Sequence, residues 1–156
     1  MYDRNTTAAA TLTPNGLLFG DAVTASHTGA TFDTQNVGSG KTVTTVGVAL
    51  GGADAGNYSV AATATGVADV TARPLNVTAT ANTKVYGAAD SAFSYTSDIV
   101  SGDSFSGALG RVAGENVGTY AMNVGTLSAG SNYDTIALTS ANLSITPASL
   151  TVTADN

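Results

Sequence analysis

The chain has no cysteine and no tryptophan, one histidine, three prolines and few charges. Each shortage removes a class of chemistry. Without cysteine there can be no disulfide scaffold, no thiolate zinc site and no thiol nucleophile. A single histidine, His27 in "VTASHTGATF", leaves a Ser-His-Asp triad without a positioning motif, and it reads as an ordinary strand or loop residue. Charged residues make up 10% of the sequence, far below the usual quarter, so the polar surface must come from Thr, Ser, Asn and Gly. The five basic residues are scattered, and the net charge is −6, which argues against nucleic acid and against anionic lipid surfaces. No apolar run approaches the roughly 20 residues of a membrane helix, so no membrane insertion is expected. No charged start followed by an apolar stretch marks a signal peptide. Met1 directly before "YDRNTTAA" reads as a start in the middle of an array.

What remains is a chain of 43% hydrophobic residues, mostly Ala and Val, with 18 glycines. Disorder is favoured by low hydrophobicity and high net charge, and this chain has neither. Its length of 156 residues suits one medium domain or two small ones. An internal repeat decides between them. "GADAGNYSV" and "SAGSNYDTI" place Asn57-Tyr58 and Asn132-Tyr133 75 residues apart. Other landmarks follow in the same order: Tyr2 and Tyr86, Gly20-Asp21 and Gly102-Asp103, Asn36-Val37-Gly38 and Asn116-Val117-Gly118. Leu75 with "NVTATAN" recurs as Leu150 with "TVTADN". The expected division is one unit at 1–73, a second at 74–147, and the opening of a truncated third at 148–156. Pro74 and Pro147 mark the seams, since Pro lacks a ladder donor and suits a strand start.

The periodicity is β throughout. "TYAMNVGTL" alternates Tyr120, Met122 and Val124 and breaks at Gly125; "ANLSITP" alternates Leu143 and Ile145; "LNVTAT" alternates Leu75 and Val77. "KTVTTVGVAL" puts Val46, Val48 and Leu50 on one face with Val43 out of phase, which predicts a bulge or kink between Thr44 and Gly47. The fold class is therefore all-β: two tandem small β-sandwich units of immunoglobulin-like type, with a β-grasp variant as the alternative if "SDIVSGDSF" is helical. Asp54, Gly56 and Tyr58, and likewise Glu115, Gly118 and Tyr120, have the look of a tyrosine corner, where the hydroxyl bonds nearby backbone. Half-buried strand tyrosines are the plainer reading.

The quoted segments resemble the YDG and MBG repeat domains of large bacterial secreted, filamentous-haemagglutinin-like adhesins exported by two-partner secretion. "MYDRNTTAA" is similar to the YDG opening at Tyr2, Asp3, Thr6, Thr7 and Ala8, with Arg4-Asn5 standing in place of its Gly. "NVGSGKTV" and "GADAGNYSV" continue that pattern. "KVYGAADSAFSY", "GDSFSG" and "GENVGTYAMNVGTLSAGSNY" resemble the MBG pattern, departing at Ser91, where Pro is commoner. The resemblance implies secretion to the bacterial cell surface, tandem repetition, a mostly β fold and a stalk position. It names no ligand.

No catalytic, cofactor-binding or metal residues stand out, and an enzyme is not expected. Asp54 in "GGADAGNY" and Asp103 in "SGDSFSG" lie in Gly-rich turns without the spacing of a calcium loop; turn capping is the default, with calcium as the open alternative. Lys84, the sole glutamate Glu115 and Asn142 have the order of an intramolecular Lys–Asn cross-link. The expected function is a structural spacer in a cell-surface or biofilm adhesin. The alternative is a module that contacts extracellular glycan or exopolysaccharide through Tyr2, Tyr86 or Tyr95. The partners expected are neighbouring repeats of the same chain, and the chain itself is expected to be a monomer.

Overall fold

Short side chains of high β propensity, interrupted by glycine turns, leave the chain little choice but strands. A computed structural model describes residues 1–155 and is all-β. The chain divides into one unit spanning Met1–Ala72 and a second starting at Arg73.

The first unit contains β1 (Thr24–Ser26), β2 (Gly29–Phe32), β3 (Gly38–Val46), β4 (Ala49–Gly51) and β5 (Thr63–Val70), with one 3-10 turn at Ala55–Asn57. Strands β2, β3 and β5 form an antiparallel sheet in that order, and β1 pairs antiparallel with β4. Tyr2, Ala30, Val43 and Val70 are buried. Arg4, standing where the YDG opening has Gly, takes the left-handed φ of 63°. Its flanks hold the turn: Asn5 N donates to Asp3 Oδ1 at 2.8 Å, and Thr7 N to Asn5 Oδ1 at 2.9 Å.

The second unit contains β6 (Arg73–Ala79), β7 (Asn82–Val85), β8 (Tyr95–Ser97), β9 (Gly110–Arg111), β10 (Gly118–Asn123), β11 (Tyr133–Thr139) and β12 (Asn142–Thr146). One sheet has the order β7-β12-β10-β9 and the other β11-β6-β8. Two ladders are parallel in an otherwise antiparallel sandwich, β6 with β11 and β7 with β12. The spacing between partners is the same from Leu75–Ile136 to Val85–Thr146. Residues 75–85 and 136–146 are thus two long strands that cross together from one sheet to the other, in constant register. The alternating positions Leu75, Val77, Leu143 and Ile145 are all buried, as their pattern requires.

The change of phase in β3 falls at Gly47. Val43 and Thr45 point inward, Val46 is exposed, and Val48 and Leu50 are half-buried beyond the kink. Val46 therefore does not share the face of Val48 and Leu50, because the left-handed φ of 66° at Gly47 turns the chain after it. Gly125 does the same in the second unit, with φ 57° and room for no side chain: a Cβ there would lie 2.5 Å from Gly110 N. "SDIVSGDSF" is not helical. It forms a turn closed by Asp103 N to Val100 O at 3.0 Å, with Gly102 at φ 93°, so the helix that a β-grasp variant needs is absent from this segment.

Candidate functional site

The same polar device is built twice. In the first unit, Leu18 N donates to the hydroxyl oxygen of Tyr58 at 2.9 Å, and that hydroxyl donates to Asp21 Oδ2 at 2.5 Å. In the second, Val100 N donates to the hydroxyl oxygen of Tyr133 at 2.9 Å, and that hydroxyl donates to Asp103 Oδ2 at 2.7 Å. Each tyrosine clasps the first and fourth residues of a glycine turn, whose own bond runs from Asp21 N to Leu18 O or from Asp103 N to Val100 O. The phenol thereby fastens a long loop to the strand region it begins. The hydrogen bond that the neutral phenol donates to Asp21 pushes the Tyr58 phenol above its ordinary value, and the like charge a phenolate would face there adds to it. Tyr58 is thus not a local corner, because its hydroxyl reaches across the unit. Tyr120 is one: its hydroxyl donates to Asn116 O at 2.7 Å.

The second polar feature is an ion network on the four-stranded sheet. Lys84 on β7 donates to Asp90 Oδ1 at 2.6 Å and to Glu115 Oε2 at 2.5 Å. Arg111 on β9 meets Asp90 through Nε at 2.6 Å and also pairs with Glu115. Two cations and two carboxylates alternate in a closed ring that ties together the two edge strands of one sheet. The guanidinium also lies over the Tyr120 ring, 5.3 Å from its centroid, and donates to Gly114 O. The Lys84 and Arg111 side chains are only 6% and 9% exposed. Arg111 and then Lys84 hold Asp90 down from an ordinary 3.8 to about 2. Lys84 and then Arg111 hold Glu115 below its usual range, and Asp90 with Glu115 raises the Lys84 ammonium. An ammonium held in this way is a poor nucleophile.

The structure therefore joins Lys84 to Glu115 but leaves Asn142 apart. Lys84 sits opposite Ile145 in the ladder, and Asn142 lies three residues away, roughly 10 Å along the strand, and is exposed. Asp90 and Arg111, which complete the ring, carry no motif. Their only signal in the sequence is that a chain so poor in charge places six charged residues between Lys84 and Glu115, four of which form the ring. The turn aspartates are engaged: Asp103 accepts from Tyr133, and Asp54 Oδ2 accepts from Ala22 N at 2.8 Å. Among the described residues no three His, Asp or Glu side chains cluster as metal ligands would. His27 is half-buried, with Nε2 3.0 Å from Ala10 O. The three tyrosines considered for glycan do not share a platform. Tyr2 is buried, Tyr95 packs edge-on against Phe105 at 5.3 Å between centroids, and Tyr86 is 52% exposed.

This geometry describes a tandem of all-β repeat modules that hold themselves together with recurring polar locks. The comparisons agree with that class and divide at the same place. Residues 1–66 match the model of the YDG domain, and residues 75–144 match that of the MBG domain (YGX type). No curated protein and no solved structure matches the chain.

Tyr133→Phe removes both bonds of the second lock and leaves the Val100 N–H without its partner. We expect a loss of about 1–3 kcal/mol in urea unfolding. The ion network sets the acid response. Because Asp90 titrates lower in the folded chain than in the unfolded one, the stability it contributes is complete above about pH 5 and is lost as pH falls through 4 toward 2. The stability difference between the wild type and Asp90→Asn should therefore narrow steadily from pH 5 to pH 2. A difference that stays constant over that range would show that Asp90 is not held low.

Proposed function

We propose that the two units are non-catalytic structural repeats, acting as a stalk or spacer in a bacterial cell-surface or biofilm-matrix adhesin, outside the cell. The observation that carries this reading is the parallel ladder of the second unit. Its first long strand, 75–85, and its last, 136–146, run side by side in the same direction. Tension applied through the two ends of such a unit pulls those strands past each other. Every rung is then loaded at once, whereas strands peeled from one end lose their rungs singly. A spacer under shear from flow needs that geometry. The matches to two repeat-domain models, the lock repeated at a 75-residue spacing and the low charge support the same reading. The polar groups that could have served chemistry, among them Asp54, Asp103 and Lys84, instead hold turns and strands.

The absence of cysteine makes force handles unambiguous. Pulling through Ala72→Cys and Pro147→Cys loads the ladder in shear, and pulling through Tyr86→Cys and Pro147→Cys opens it from one end. Single-molecule unfolding should need clearly more force in the first geometry. Equal forces would remove the mechanical argument.

The exposed Tyr86 ring favours a second reading, in which the repeats themselves contact extracellular glycan or exopolysaccharide. A glycan binding screen of the whole chain, with calcium and with chelator, should show no reproducible binding. Binding lost in Tyr86→Ala would make the module adhesive.

A further inference from the structure

We propose that Asn5 is a carbohydrate-acceptor site, its side-chain Nδ2 taking a hexose from a nucleotide-activated sugar while the first unit is folded. The chain holds four Asn-x-Ser/Thr triplets, at Asn5, Asn57, Asn76 and Asn142, the pattern that N-glycosyltransferases read. A chain so rich in Thr and Ser makes such triplets by composition, so geometry must choose among them. Asn5 and Thr7 are both exposed. Asn5 Oδ1 accepts from Thr7 N and from Thr7 Oγ1, each at 2.9 Å. A backbone N–H can only donate, so the amide atom facing it is the oxygen and Nδ2 points the other way. Nδ2 donates to no protein group among the described residues. The turn that sets this up is local. Arg4 takes its left-handed φ of 63°, Asn5 N donates to Asp3 Oδ1 at 2.8 Å, and these bonds all close within residues 3–7.

The two bonds to Oδ1 bear on reactivity. An amide nitrogen is a weak nucleophile because its lone pair is shared with the carbonyl. It becomes reactive as it loses a proton, and the charge then gathers on Oδ1, where two donors already stand. In the transfer, Nδ2 bonds to the anomeric carbon of the sugar as the bond from that carbon to the phosphate oxygen breaks. The bonding pair leaves with the nucleoside diphosphate, and the Nδ2 proton passes to a basic group of the transferase. The other three triplets lack this arrangement among the described residues. Asn76 lies in β6 and commits Nδ2 to Asp98 Oδ2 at 2.7 Å. Asn142 lies in β12, where Ser144 is held in ladders on both sides and makes no bond back to it. Between Asn57 and Ser59, Tyr58 is fixed through its hydroxyl to Leu18 and Asp21. A hexose at Asn5 would add hydroxyl groups to the surface of a chain in which only 10% of residues are charged. The site rests on local geometry and stands independently of the stalk reading.

The test incubates the folded whole chain with UDP-glucose and a soluble N-glucosyltransferase that reads Asn-x-Ser/Thr, followed by intact mass and peptide mapping. Wild type should gain one hexose, located at Asn5. Asn5→Gln and Thr7→Val should gain none there, with unchanged circular dichroism spectra. Thr7→Ser keeps both the triplet and the hydroxyl donor, and should be modified at Asn5 as wild type is. A wild type that stays unmodified while the same enzyme modifies an unstructured Asn-Thr-Thr peptide would overturn the proposal. So would a hexose that appears at Asn57, Asn76 or Asn142 as fast as at Asn5, or one that reaches Asn5 equally well in Thr7→Val.

Discussion

The second unit depends on one strand. Among the described residues β11 and β8 have no ladder partner other than β6, and β7, its continuation, lies along β12. Two parallel strands cannot be joined by a tight turn, so everything between residues 86 and 132 serves as the connection that brings the last strand back beside the first. That long excursion returns in register because the two strands share one spacing through both sheets. Leu75 and Val77, buried almost completely, set which face of β6 enters the core, and a slip by one residue would turn both outward.

Such an excursion is long, mostly polar and costly to order, and the locks address that cost. Tyr133 holds the turn at Val100–Asp103 to the start of β11, and Tyr58 holds its counterpart in the first unit. The ion ring acts further along the second unit, closing the edges β7 and β9 over the same sheet. Exposed ion pairs contribute little singly, but here both cations are nearly covered and each has more than one acceptor, so their side chains have one arrangement. The first unit has no counterpart to this ring among its described residues. Lys41 there pairs with Asp33 at 3.0 Å. The repeat thus conserves its turn lock between the two units and varies its surface charges.

Much of this was legible in the sequence, and for a physical reason. Strand alternation reports which side of the backbone a side chain takes, so the burial of Leu75, Val77, Met122, Leu143 and Ile145 could be read directly. The breaks at Gly47 and Gly125 were legible too, since a glycine where the period slips marks a backbone no other residue adopts easily. The spacing of Asn57-Tyr58 and Asn132-Tyr133 revealed the repeat, and Gly20-Asp21 and Gly102-Asp103 were visible as separate landmarks. What joined those landmarks was not visible. A hydrogen bond between Tyr58 and Asp21 spans 37 residues, and periodicity carries no information across that distance.

The sequence by itself therefore determined the local facts: all-β structure, the face of most strands, Val46 excepted, the places where the chain must turn and the existence of two related units. Only the tertiary structure decided which strands meet. It made β6 and β11 parallel, and gathered Lys84, Asp90, Arg111 and Glu115 into one ring while leaving Asn142 outside it. Pairing depends on distant segments competing for the same edge and the same buried area, and that competition is resolved only when the whole chain is in place.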